Sequence, residues 1–389
     1  MSLIATIKNQ PNINSIYSVL SLASIGAIAA AVILLLPLIV GALVDHLAMS
    51  EQAAGWVVAI DMAGYTLATV LAITWIHRCH WRQVTLLGML AMIVGNILSM
   101  LLSSFEVLAL VRFITGFAAG AVTAIVVAAM GKTTNPDRAY GFWIVGQLLL
   151  GSAGFALLPN LIASYGPAAI FALLVVLLLL ALSLIAFIPL AAADEVKPSQ
   201  AATAKFKLTK LFIYLAIAAI LISYAGLTAV WSYVERIAVS AGFSSALIGY
   251  SLSIASLAGI AGGVAATLLG VRLGRVLPIV IALGSAVVGV LLLKLDFSHL
   301  LYTVSACLFL FGWNLMLPFF MGAIAAADSS SRVLALANAA IGVGLMLGPG
   351  VGGLFLSEAD YANLTTAGIS LIVISLLLIT PLAITAKNK

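Results

Sequence analysis

Runs of about twenty consecutive apolar residues recur from one end of the chain to the other, and few folds accommodate them. A helix adds about 1.5 Å per residue, so about twenty apolar residues cross a hydrocarbon core of about 30 Å. Breaks in hydrophobicity, Pro and Gly punctuation and the placement of charge give twelve such spans, at 16–44, 53–76, 83–103, 106–130, 139–164, 167–190, 211–235, 245–270, 276–295, 299–325, 332–356 and 363–385. The alternating ten-residue pattern of a membrane β-barrel is absent from the sequence. Only 7% of the 389 residues are charged, and the mean hydropathy is +1.26. Soluble domains carry about 25% charge. No stretch is therefore expected to fold as a separate soluble domain. The start, MSLIATIKNQPNINS, has neither a basic cluster nor a small-residue cleavage site, so the first span is expected to remain in place.

Twelve spans put both termini on one side. On that side fall Lys8, Arg78, Arg82, Lys132, Arg138, Lys197, Lys205, Lys207, Lys210, Arg272, Arg275, Arg332, Lys387 and Lys389, fourteen of seventeen basic residues. Arg236 and Lys294 fall on the other, and Arg112 lies within a span. A missed helix would scramble this bias, so it supports the count. It also makes the basic side cytoplasmic, in the inner or plasma membrane. The isoelectric point near 9.2 then reflects many short loops facing anionic lipid rather than a nucleic-acid groove. Cys79 in a loop and Cys307 in a span give no disulfide framework.

The longest polar segment, 191–210, reads as a flexible cytoplasmic linker between six spans and six spans. It divides the chain into 1–190 and 211–389, and the two parts look like repeats. Arg78 and Arg272 are 194 residues apart, as are Arg138 and Arg332, and Asp45 and Glu235 are 190 apart. The fold class is thus an all-α membrane protein of twelve transmembrane helices in two pseudo-symmetric six-helix bundles. Repeats of this kind recur in secondary transporters, with the substrate site between them near the midplane.

Span four contains LALVRFITGFAAGA, an Arg followed four residues later by Gly and then small residues. In this the chain resembles the major facilitator superfamily from about Ile16 to Leu382. The loop WIHRCHWRQV is similar to that family's Asp-Arg-x-Gly-Arg-Arg pattern, with His77 at the Asp position and His80 at the Gly position. Its second copy, GVRLGRV, has Val271 at the Asp position. The resemblance implies that Arg78, Arg82, Arg272 and Arg275 belong to a cytoplasmic gate. GLMLGPGVGG in span eleven resembles the Gly-Pro-rich motif that the family's antiporters carry in span five.

An Asp near a helix centre costs about 2.5–3.5 kcal/mol on insertion scales, so Asp61 in VVAIDMAGYTLAT needs a partner or a use. Arg112 lies at a matching depth, both roughly 9–12 Å from the same edge at the helical rise. Each would lower the other's desolvation cost. If their separation changes between states, the proton affinity of Asp61 changes with it, which makes the two a proton-coupling pair. The alternative is a static structural ion pair. Glu235 reads either as an interfacial charge or as a second protonatable or substrate-contacting group in an outward-open cavity, and Asp45 likewise.

The resemblance implies a cavity lined mainly by spans one, four, seven and ten. Tyr224, Trp231 and Tyr233 in span seven, with Trp313 and Asn314 in span ten, are candidate substrate contacts, and Gln147 and Asn338 add amides. Aromatic faces with a few amides suit a ring-bearing solute, although Trp and Tyr near span ends also serve as interface residues. Gly116 and Gly120, Gly259 and Gly263, and Gly344 and Gly348 are spaced for close helix contact.

AAMGKTT carries the tail of a phosphate loop, but Val126 stands where its first Gly is required, so ATP hydrolysis is unsupported. His77 to His80 is no recognisable zinc spacing, and neither a cofactor nor a metal is expected. The reading is a proton-coupled secondary transporter of a small organic solute, monomeric and not an enzyme, working as an efflux antiporter or an uptake symporter. A non-transporting membrane sensor is the alternative of another class.

Overall fold

The computed structural model describes residues 11–190, 207–270, 272–295, 298–328, 331–356 and 360–385. Among the described residues, twelve helices follow the expected spans: α1 (Ile16–Leu47), α2 (Glu51–Trp75), α3 (Trp81–Leu101), α4 (Phe105–Met130), α5 (Pro136–Tyr165), α6 (Ala168–Phe187), α7 (Lys207–Ser240), α8 (Ser245–Leu269), α9 (Val276–Leu292), α10 (His299–Ala327), α11 (Ser331–Gly353) and α12 (Ala362–Thr385). Eleven are long and apolar enough to cross a membrane, and α9 is shorter, at 17 residues. α1 is interrupted at Ala30, and α6 finishes in a 3-10 turn, Leu182–Phe187. Most of the expected linker, 191–206, lies outside the described residues, as do Lys8, Lys387, Lys389 and Val271, and helix α7 already begins at Lys207.

Side-chain caps set several helix starts, because the first amides of a helix lack an internal acceptor. Ser50 accepts from Ala53 N at 3.1 Å to open α2, and Ser298 from Leu301 N at 3.3 Å to open α10. Asn135 accepts from Arg138 N at 3.1 Å, and Pro136 follows it in the first turn of α5, where its missing N–H costs nothing.

Within the first six helices α2 packs most extensively on α4, and within the last six α8 packs on α10 and α7 on α11. Glycine makes the α2–α4 seam possible. A Cβ on Gly64 would strike the Phe113 carbonyl, one on Gly116 the Asp61 carbonyl, and one on Gly120 the Tyr65 carbonyl. Gly344 and Gly348 meet α7 in the same way, at Leu221 O and at Thr228 and Ala225. The expected pair Gly259 and Gly263 is corrected in part. Gly259 lies against Asn314, but Gly263 faces open space, and Gly262, not Gly263, meets the Phe311 backbone. Spacing of four residues alone cannot say which of two adjacent glycines faces the neighbouring helix.

The halves meet through α2 with α11, α5 with α8, and α1 with α7. Thr66 Oγ1 donates to Gly342 O at 2.9 Å, and Gly350 of α11 sits on Trp56 and Ala59 of α2. Ser152 of α5 bonds Ser253 of α8 at 2.9 Å. Trp231 Nε1 donates to Leu34 O at 3.3 Å. All but the Thr66–Gly342 bond lie in the part of the bundle nearer the α1–α2 loop, here the sealed end. Toward the opposite end, which carries the basic loops, Gly141 of α5 and Gly263 of α8 have open space where a Cβ would stand.

The two kinds of glycine separate by experiment. Gly120→Ala forces backbone atoms apart and should lower stability by about 1–3 kcal/mol. Gly263→Ala meets nothing and should hold or raise it, by up to about 1 kcal/mol of helix propensity. Thermal unfolding of the purified variants in detergent, followed by size-exclusion chromatography, measures both.

Candidate functional site

Asp61 on α2 and Arg112 on α4 are 2% and 3% exposed. Arg112 Nε donates to Asp61 Oδ2 at 2.7 Å, and the two form an ion pair through Nη2. Gly116, one turn beyond Arg112, lets α2 come near enough for a carboxylate on one helix to reach a guanidinium on the other. Two further contacts complete the setting. Arg112 Nη1 donates to Asn96 Oδ1 of α3 at 2.9 Å, and the guanidinium lies 5.1 Å from the centre of the Phe171 ring of α6. A cavity of about 10 Å³ adjoins the pair, walled on its apolar sides by residues such as Val32 of α1 and Leu174 of α6. That is about the size of a single water site. Neither Asn96 nor Phe171 was singled out from the sequence. Asn96 could have been, as the one amide in the apolar run MIVGNILSM.

A second charged group lies at the sealed end. Arg236 donates to both oxygens of Asp45, at 2.7 and 2.8 Å, and to both of Glu235, at 2.7 and 2.9 Å. Glu235 is 7% exposed and Arg236 5%, whereas the Asp45 side chain is half exposed. The interfacial reading of Glu235 is therefore corrected. Its carboxylate lies under Gly41 of α1 and against Arg236, away from bulk solvent. Arg236, read from sequence as a charge on the outside, ties α7 to α1 across the halves by a bidentate pair.

Tyr233 is fully buried beside this group, its hydroxyl donating to Pro349 O at 2.8 Å and lying 3.4 Å from Glu51 O. Tyr361 donates to Glu51 Oε1 at 2.6 Å. Burial, and then the Glu51 carboxylate, push the Tyr361 phenol above its ordinary range, so it stays a donor at neutral pH.

The structure gathers three of the expected substrate residues into one aromatic cluster. Trp231 stacks on Phe309 with centroids 6.2 Å apart and meets Trp313 edge-on at 6.5 Å. Tyr224 meets Trp313 edge-on at 5.9 Å. Phe155 of α5 abuts Trp231 from the other half at 5.8 Å. Trp231 is buried and forms the floor of the cluster, while Trp313 and Asn314 remain half-buried at its edge. Asn314 Nδ2 bonds Leu310 O of its own helix at 2.9 Å. Gln147 is half-buried on α5, and Asn338 is exposed on α11, toward the basic end. Tyr233 belongs to the sealed end rather than to the cluster.

Of the four arginines expected at a gate, Arg78 and Arg272 are exposed in their loops and Arg275 is half-buried near Gly322 of α10. Arg82 is buried, and its Nε and Nη2 donate to Ile188 O and Ala186 O, both at 2.9 Å. It thereby satisfies carbonyls where α6 ends, inside its own half.

The model of the Major Facilitator Superfamily matches residues 19–329. No curated protein matches the chain. Among 289 matching solved chains is the crystal structure of a point mutant of the nucleoside transporter NupG, with a TM-score of 0.67 and 14% identity, covering 96% of this chain and 100% of that one. At that identity the likeness fixes the architecture and leaves the solute to the site.

Removing Arg236 leaves Glu235 buried without its cation, so Arg236→Ala should cost about 3 kcal/mol or more. Asp45→Asn, which alters a half-exposed partner, should cost under about 1 kcal/mol. Thermal unfolding of the two variants beside the parent reads the difference; equal losses would mean that Arg236 holds the halves together without neutralising Glu235.

Proposed function

The chain belongs to the major facilitator superfamily, and we propose that it moves a small, ring-bearing organic solute by alternating access coupled to protons. The protein is an integral membrane protein and a secondary transporter; the coupling ion and the solute are the proposal. So are the placement of the basic end in the cytoplasm and a monomeric, non-enzymatic chain that needs neither cofactor nor metal.

One observation carries the coupling reading. Asp61 and Arg112 pair across the α2–α4 seam, and α2 is also a helix that seals one half against the other through α11. A change in how α2 sits on α11 therefore acts on the distance between carboxylate and guanidinium. That distance sets the proton affinity of Asp61. Proton uptake and the rocking of the halves are in this way two views of one equilibrium, as linkage requires. Glu235 is the second protonatable group in the reading, reached by water when the halves separate at the sealed end and Gly41 of α1 no longer covers it.

With the basic end cytoplasmic, the end closed by Arg236, Asp45 and Tyr233 faces outward in this reading. In this reading Trp313 and Tyr224 supply aromatic faces to the solute, and Asn314, Gln147 and Asn338 supply amides. Few fixed charges in that region favour a solute without strong net charge. Either direction of transport is compatible with this arrangement.

The test has two stages. A thermal-shift screen of the purified chain against nucleobase-like, amino-acid and drug-like compounds identifies a ligand by the stabilisation that binding confers. Flux of that ligand into proteoliposomes is then driven by a pH gradient. Asp61→Asn should reduce gradient-driven accumulation tenfold or more while solute exchange at equal pH persists. Gradient-driven flux equal to that of the parent would remove Asp61 from the coupling step.

A further inference from the structure

Arg112 has three partners on three helices, and they are not equivalent. Asp61 is on α2, which packs against α11 of the other half. Asn96 is on α3 and Phe171 on α6, helices that pack within their own half. The Asn96 amide has one orientation open to it. Its Nδ2 donates to Met92 O one turn back at 2.8 Å, which turns Oδ1 toward the guanidinium. Asn96 is 1% exposed, and both ends of its amide are satisfied.

We propose that Asn96 is a positioning residue that holds the Arg112 guanidinium in place while Asp61 takes up and gives back a proton. The inference rests on the coupling reading of Asp61. A guanidinium in hydrocarbon that loses its carboxylate needs another acceptor, or it swings toward water. Asn96 Oδ1 is that acceptor and Phe171 the face beneath it, so Arg112 stays anchored to α3 and α6, and Asp61, on the helix that also touches the other half, is the partner that changes. The groups facing Asp61 make the assignment specific. Arg112 comes from α4 and Tyr65 from its own helix, α1 and α6 present apolar side chains, and α3 presents Met92 and Asn96. The one ionisable residue of α11 is Arg332, at its basic end.

By sharing the guanidinium, Asn96 weakens its hold on the Asp61 carboxylate. Replacing Asn96 with an apolar residue of similar size concentrates the cation on Asp61 and stabilises the ionised form.

The experiment needs no solute. The full chain in lipid nanodiscs is titrated with pH under infrared spectroscopy, and the protonated-carboxyl band that Asp61→Asn abolishes is assigned to Asp61. Asn96→Leu should move the midpoint of that band to lower pH by about one unit. An unmoved midpoint would overturn the role of Asn96, and the coupling reading would survive it. If Asp61→Asn abolishes no titrating band, it is the coupling reading that fails. A second measurement is independent of any titration. The double variant Asp61→Asn/Asn96→Asp transfers the carboxylate to the other side of the same guanidinium. It should recover most of the unfolding temperature lost in Asp61→Asn alone. No recovery would mean that position 96 does not hold Arg112.

Discussion

A charge inside hydrocarbon must be answered by the protein itself, and the arrangement of this chain follows from how its buried charges are answered. Arg112 is met by a carboxylate, an amide and an aromatic face. Arg236 is met by two carboxylates, and Arg82 by two backbone carbonyls. Each solution brings together helices distant in sequence, and each works on a different boundary: within a seam, between halves, and at a helix end. Charge burial costs several kcal/mol per ion before compensation, so these three points constrain the packing more than any single apolar contact does.

Close approach of backbones is the complement of charge burial. Helices in lipid gain little from hiding apolar surface from one another, so contact depends on fit. The glycines of α2, α4 and α11 supply that fit, and they lie where charged or sealing residues need neighbours within reach. Gly116 against Asp61 and Gly41 against Glu235 are the clearest cases, since a side chain at either position would occupy the space that the carboxylate fills.

The spans, their number and the Asp61–Arg112 pair were legible because they depend on local quantities: apolar run length, punctuation, and depth along a helix. Repeat offsets then supplied the two-bundle architecture. The rest depended on rotation about helix axes, which spacing does not specify. Gly262 rather than Gly263 meets α10 for that reason, and Arg82 reaches the carbonyls of Ala186 and Ile188. Glu235 stayed open between two readings because position near a span end implies water only when nothing covers it, and α1 covers it here. Asn96 went unseen because an amide in an apolar run gains meaning only from the arginine sixteen residues later that reaches it.

The seal at one end of the bundle bears on how a ligand would be measured. Arg236 with Asp45 and Trp231 with Leu34 join the two halves at that end, and a conformer opened there would have to give them up. Every increment of about 1.4 kcal/mol that they contribute makes the opposite conformer ten times scarcer at rest. A ligand approaching from the closed face binds only that scarce fraction, so its apparent dissociation constant is inflated by the same factor. Two faces of one site would then report different affinities although the contacts made, once bound, are identical.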